Sequence, residues 1–166
     1  TRESDQILGT KEFEIANLAN LKDDALKSIF SSKLSKAIDL GLDIKVEILN
    51  PIGLPVSFSS LDFIRLVSNL LDNAIEAANE SEDEQLLISY FKHDDTYVFI
   101  LANSTKEKTD NIAQLFQTGV SSKGKDRGVG LAIVKKILST YPNVRLNTSN
   151  QNGLFTQHLE VQEWDI

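Results

Sequence analysis

A chain of 166 residues with 41 % hydrophobic and 25 % charged side chains is long enough to bury one sizeable core. Its net charge of −7 excludes a general nucleic-acid binder, which needs a basic surface, but not a small phosphate ligand held in a locally basic pocket. The absence of cysteine excludes disulfides, thiolate catalysis and cysteine-ligated zinc, and no apolar run has the length of a membrane span.

Residues 1–16 are polar and irregular and read as a linker or the tail of a preceding element. From Leu18 the positions Leu21, Ala25, Ile29, Phe30, Leu34, Ala37 and Ile38 recur at helical spacing, and Gly41 is a good C-terminal stop. Ile44, Val46 and Ile48 alternate with Asp43, Lys45 and Glu47, a half-buried strand closed by Asn50-Pro51. Ser59, three residues before Asp62, opens a second helix that runs to about Ala78. Segments 85–92 and 97–102 are β-prone and joined by His93-Asp94-Asp95-Thr96, which predicts a hairpin. A loop with a short helix around Ile112 to Phe116 leads to a helix at 129–140. Tyr141-Pro142-Asn143 then turns the chain into a last hairpin, 144–148 and 154–161, turned by Asn150-Gln151-Asn152-Gly153. The expected fold is α/β: a two-layer sandwich with a mixed, mostly antiparallel sheet and about three helices on one face.

Within the second helix Asn69, Asn73 and Glu76 stand at i, i+4 and i+7 and share one stripe, with Asp72 beside them. Asparagine is a mediocre helix former because its amide competes for backbone hydrogen bonds, so two on one stripe of an apolar helix need a reason. One reason is a solvated face. The other is ligand binding: amide oxygens suit a Mg²⁺ ion that keeps several waters and bridges nucleotide phosphates.

The stretch SSKGKDRGVGLAIVKKIL, residues 121–138, places cationic, glycine-bearing chain at a helix start. Unpaired N–H groups and the positive dipole end favour anions there, and Gly128 and Gly130 allow close approach to the backbone. Lys123, Lys125 and Arg127 add charge, with Ser121 and Ser122 as hydroxyl donors. A flexible solvated loop that happens to precede a helix accounts for the same residues. No GxxxxGK[ST] occurs, and no GxGxxG turn within a βαβ unit, so this is neither a P-loop nor a dinucleotide fingerprint.

Taken together, NLLDNAIEAAN at 69–79 and FQTGVSSKGKDRGVGLAIVKKIL at 116–138 resemble two motif boxes of the GHKL superfamily, whose Bergerat fold holds ATP and which includes histidine kinases and type II topoisomerases. The N box would be Asn69 and Asn73, the second glycine box Gly128-Val129-Gly130-Leu131, and Phe116 the F box ahead of a lid at about 104–127. The resemblance covers about residues 18–161. LKDDALKSIFSSKLSKAIDLGLDIKVEI and the ending NGLFTQHLEV are similar to the quorum-sensing, peptide-responsive subgroup of histidine kinases, of the Agr and competence type. Two positions depart from the common pattern. Asn103 in ILANSTKE stands where the superfamily has the Asp of a DxGxG box that pairs with the adenine amino group, and Leu154 follows Gly153 where many kinases have Thr.

The resemblance implies a catalytic domain at 18–166 preceded at 1–17 by a linker or the end of a helical dimerisation domain. It implies ATP and Mg²⁺ as ligands, with Asn73 on the metal and Asn69 beside it. Glu76, Asn103, Lys123, Gly124, Lys125, Arg127, Gly128, Val129, Gly130 and Leu131 complete the nucleotide site. Where hydrolytic branches resemble a Glu that activates water, this chain has Asn69, which cannot take a proton at neutral pH, and so resembles the kinase branch. The implied partners are a histidine-bearing dimerisation domain and a response regulator, with no nucleic acid; the fragment itself spans no membrane, and the full-length kinase is expected to be a homodimer. Neither His93, in a predicted turn, nor His158, in a predicted strand, sits on a helix suited to accept the phosphoryl group. A chain without a single methionine is expected to be a fragment of something longer or a processed product, and the resemblance implies the cytoplasmic part of a membrane-bound kinase. The alternatives are a degenerate nucleotide-binding or interaction module and a serine-directed kinase-like regulator.

Overall fold

The computed structural model describes residues 17–106 and 125–163, residues 125–130 through their backbone. In chain order the elements are α1 (Asp24–Asp39), β1 (Asp43–Glu47), α2 (Ser60–Glu80), β2 (Gln85–His93), β3 (Thr96–Ser104), α3 (Lys125–Thr140), β4 (Val144–Gln151) and β5 (Leu154–Gln162).

Local chemistry sets most boundaries. Asp23 caps α1 by accepting from the Leu26 N–H, so this helix starts later than the apolar spacing from Leu18 predicts. The residues before it are held otherwise: Leu21 bridges Ile52, Asn20 O accepts from Ile52 N, and Lys22 N donates to Ile52 O. Leu18 and Leu21 are both buried, but the helical turn at Leu18 stops before Leu21, whose place in the apolar spacing reports burial and not helix. Gly41, at φ 89°, ends α1. The Ser59 side chain accepts from Asp62 N at the start of α2, as expected. The hairpins are tighter than expected. Asp94-Asp95 alone turns the first, and Asn152-Gly153, at φ 55° and 81°, turns the second. Asn150 and Gln151, expected in that turn, lie in β4. The last helix is already formed at Lys125, ahead of the expected 129, so Gly128 and Gly130 are helical. The short helix expected around 112–116 and most of the expected lid lie outside the described residues.

The five strands form one sheet in the order β1-β2-β3-β5-β4. β1 pairs parallel with β2, and every other pair is antiparallel. The helices cover one face: α2 packs on β2 and β3, α1 lies beside it toward β1, and α3 on the other side toward β4. The expected two-layer α/β sandwich is what the chain adopts. Alternate strand residues (Ile44 and Val46, Leu86 and Ile88, Phe99 and Leu101, Leu159 and Val161) meet Phe30, Leu66, Leu70, Leu71 and Val134 in the core. An aromatic chain crosses it, from Phe30 to Phe99, Tyr90, Phe63, Phe58 and Tyr141.

The topology defines two poles. β1 and β2 both start at one end, where Asp43 pairs with Gln85, and β3 finishes there, with Asn103 opposite Leu86. The C-terminal end of α2 returns to this lower pole to feed β2. α3 follows β3 and ends at the upper pole, where Val144 pairs with Val161 near the end of β5. α2 and α3 therefore run antiparallel, side by side.

Candidate functional site

Three of the sequence motifs converge on the lower pole. The first is the C-terminal half of α2, with Asn69, Asn73 and Glu76. The stripe these residues share continues back to Asp62, whose carboxylate accepts a hydrogen bond from Tyr141 just after α3. Asp72, on the other flank, pairs with Lys33 of α1. The asparagine stripe therefore faces the α3 side of the helix layer.

The two amides are held differently. Asn69 Nδ2 donates to its own helix at Arg65 O, 2.8 Å away. Asn73 Nδ2 is buried and has no partner among the described residues, and a buried unpaired amide of this kind marks a place where a partner is to be supplied. Glu76 is exposed.

The second part is the end of β3. Asn103 shares the helix-covered face with Phe99 and Leu101 and is only 2 % exposed. Its Nδ2 donates to Ser104 O at 3.0 Å, so the carbonyl oxygen is its spare acceptor. Ser104 fixes this strand end: its hydroxyl accepts from Gln85 N at 2.8 Å and meets the Ser81 hydroxyl, which in turn donates to Ala78 O. The serines thus tie the end of α2 to the strand that carries Asn103. Sequence reasoning missed both, because a serine at a strand end carries no pattern that separates a buried tie from a solvated residue.

The third part is the N-terminal end of α3. Its first turns hold Lys125, Arg127, Gly128, Val129 and Gly130, and Leu131 is buried. With residues 125–130 helical, the N–H groups of Val129, Gly130 and Leu131 fall within the helical ladder. Lys123 and Gly124 lie outside the described residues. His93 ends β2, and His158 lies in β5 beside Glu160, so neither is on a helix. Among the described residues no group of three His, Asp or Glu side chains could hold a metal unaided.

An asparagine stripe, a buried strand-end amide and a glycine-bearing helix N-terminus on one pole of a helix-covered sheet find their counterpart in a known family: residues 58–162 match the GHKL domain. The chain belongs to the GHKL domain family. Among curated relatives of this GHKL chain, the sensor histidine kinase DcuS of Escherichia coli is 29 % identical over 153 residues, which cover 89 % of this chain and 27 % of that protein. A probable C4-dicarboxylate sensor kinase of Halalkalibacterium halodurans is 23 % identical over 77 % of this chain and 25 % of its own length. The chain thus spans about a quarter of the curated relatives it matches. Its fold is shared with the catalytic domain of the histidine kinase ThkA, at TM-score 0.67 and 18 % identity over 82 % of this chain and 89 % of that one. ThkA has also been solved in complex with a response regulator, TrrA, where the likeness has TM-score 0.65 at 17 % identity over 83 % of this chain and 39 % of that one. These relatives lend no support to the quorum-sensing subgroup, and one of them is named for a dicarboxylate. The stretches that carried the resemblance, LKDDALKSIFSSKLSKAIDLGLDIKVEI and NGLFTQHLEV, form an amphipathic helix with its following strand and an Asn-Gly hairpin in the structure.

Proposed function

We propose that this GHKL domain is the ATP- and Mg²⁺-binding catalytic part of a sensor histidine kinase. It passes the γ-phosphoryl group to a histidine on a separate dimerisation domain, for relay to a response regulator. The observation that carries this reading is the convergence of the Asn69–Asn73 stripe, Asn103 and the start of α3 on one pole. The Asn73 amide, without a partner among the described residues, supports a metal–nucleotide ligand.

In this reading Asn73 Oδ1 holds the Mg²⁺, with Asn69 beside it. When bound, the ion neutralises phosphate charge and orients the leaving group. The N-terminal end of this helix, with Lys123, Lys125 and Arg127, takes the phosphates, and Gly124 through Leu131 let them approach the backbone. Asn103 Oδ1 accepts from the adenine amino group. A neutral amide is a weaker acceptor than a carboxylate, so affinity is modest. Asn69 cannot deprotonate water, which supports transfer to a protein side chain over hydrolysis. For the full-length protein, the name of the Halalkalibacterium halodurans relative supports a small dicarboxylate over a peptide as the signal.

Calorimetric titration of ATP and ADP, with and without Mg²⁺, tests the domain's part of this. Metal-dependent binding is expected. No binding up to millimolar nucleotide would instead favour a degenerate module that keeps the fold, a reading that the substitution of Asn103 for an acidic residue supports.

A further inference from the structure

The upper pole, far from the candidate site, is tied by directional contacts. Tyr141 follows the last residue of α3. Its hydroxyl donates to Asp62 Oδ2 at 2.6 Å, in the first turn of α2. Its ring stacks on Phe58, with centroids 4.1 Å apart and planes 15° from parallel, and Phe58 meets Phe63 of α2 edge-on. Two residues on, Asn143 Nδ2 donates to Ser57 Oγ at 2.8 Å and to Gln162 O at 2.9 Å. Glu163 accepts from the N–H groups of Val56 and Ser57. The turn after α3, the segment before α2 and the end of β5 are thereby one knot. The hydrogen bond to Asp62 and then burial hold the Tyr141 proton on more tightly than usual, with contacts from Ser59 opposing.

Elsewhere α3 is held by apolar contacts through Val134 and Ile137. Such contacts set how close two helices lie but are non-directional, so they resist axial sliding poorly. Among the described residues, Tyr141–Asp62 is the side-chain hydrogen bond that joins α2 to the end of α3. The spacing gives it a consequence. From Asp62 to Asn73 is eleven residues, and from Tyr141 back to Gly130 is also eleven. At about 1.5 Å per residue each is about 16 Å, so antiparallel packing puts Gly130 level with Asn73.

We infer that the Tyr141–Asp62 pair, gripped by Phe58, is a positioning device that sets the axial register of α3 against α2, and hence the place of the glycine pair opposite Asn73. Tyr141 is a positioning residue, since it touches no part of the site. This rests on the assignment of Asn73 and the first turns of α3 to the metal and phosphates of ATP.

The device acts on the phosphate half of the site, because adenine is read from β3, which the knot does not move relative to α2. Tyr141→Phe keeps the stacked ring and loses the hydroxyl, Asp62→Ala loses the acceptor, and Asp62→Asn keeps an acceptor oxygen. Affinities for Mg·ATP and for adenosine, measured by calorimetry on the same preparations with thermal melts, separate the possibilities. Tyr141→Phe and Asp62→Ala should weaken Mg·ATP by about three- to tenfold, the effect of one hydrogen bond, and leave adenosine unchanged. Asp62→Asn should restore Mg·ATP binding. Equal losses for both ligands, or a lower melting temperature with Mg·ATP affinity intact, would make the knot a plain stabilising contact and overturn the inference. Wild-type protein that binds neither ligand would instead refute the nucleotide site.

Discussion

Asn73 is the residue on which the site turns. Its Nδ2 is buried without a partner among the described residues, a cost that a residue on a helix flank would ordinarily avoid by turning to water. Replacing it with alanine removes the unpaired group and the oxygen proposed for the metal together, and stability and binding report the two losses separately. Asn73→Ala should leave the melting temperature of the free protein unchanged or raised, and weaken Mg·ATP by about 10- to 100-fold, the worth of a contact to a charged group. Calorimetry with and without Mg²⁺ checks this, and wild-type affinity in the variant would remove Asn73 from the metal. Asn103 gives the opposite expectation. It is 2 % exposed, and its Nδ2 donates to Ser104 O. In Asn103→Asp that donor becomes an anionic oxygen facing a carbonyl in a buried place, which destabilises the free protein. Bound adenine would gain a charged acceptor, so the rise in melting temperature on adding ATP should be larger than in wild type. A smaller rise would show that residue 103 does not face the base.

At the scale of elements, the start of α3 decides what its glycines do. In a loop, Gly128 and Gly130 would give conformational freedom; in the first turns of a helix, what they offer is the absence of a side chain. Glycine costs a helix interior up to about 1 kcal/mol relative to alanine. The double variant Gly128→Ala and Gly130→Ala should therefore raise thermal stability while it weakens ATP. If affinity survives, the glycines serve no ligand. The same helix shows where the sequence was legible. Val134 and Ile137 mark its buried face plainly, and the helix stop before Tyr141 is clear from Pro142. Its start was hidden because glycine, serine and lysine signal a loop whenever only local propensity is weighed. Leu21 misled in the other direction, since its helical spacing serves a bridge to Ile52 that joins residues 31 apart in sequence. The asparagine stripe was legible because helical periodicity alone places 69, 73 and 76 together. The Ser81–Ser104 tie and the Tyr141–Asp62 pair were not, because each joins residues that only the folded sheet brings together.

At the scale of the whole molecule, the aromatic chain that crosses the core also governs its response to alkali. Tyr90 lies at the centre of that chain, 1 % exposed, and its hydroxyl donates to Gly53 O at 2.8 Å. Burial first, and then the negative charges that face it, raise its pKa far above the ordinary value of 10.0. The unfolded chain begins to release this proton near pH 10, while the folded chain keeps it. Above that point the folded state binds more protons, so stability is full below about pH 10 and falls as pH rises. Tyr141 adds to the fall in the same direction. For Tyr90 alone, linkage gives a loss of about 1 kcal/mol between pH 10 and 11. Lysines also titrate in this range, but they are common to wild type and variant and cancel in a difference. Urea unfolding of wild type and Tyr90→Phe at pH 8, 9, 10 and 11 therefore isolates the residue. The variant should start less stable, because Gly53 O loses its partner, and the gap between the two proteins should narrow by about 1 kcal/mol over the last step. Curves that stay parallel from pH 8 to 11 would mean that Tyr90 ionises as easily in the folded protein as in the unfolded chain. The aromatic chain would then be open to water at its centre, and the packing that holds α2 on the sheet would have to be sought elsewhere.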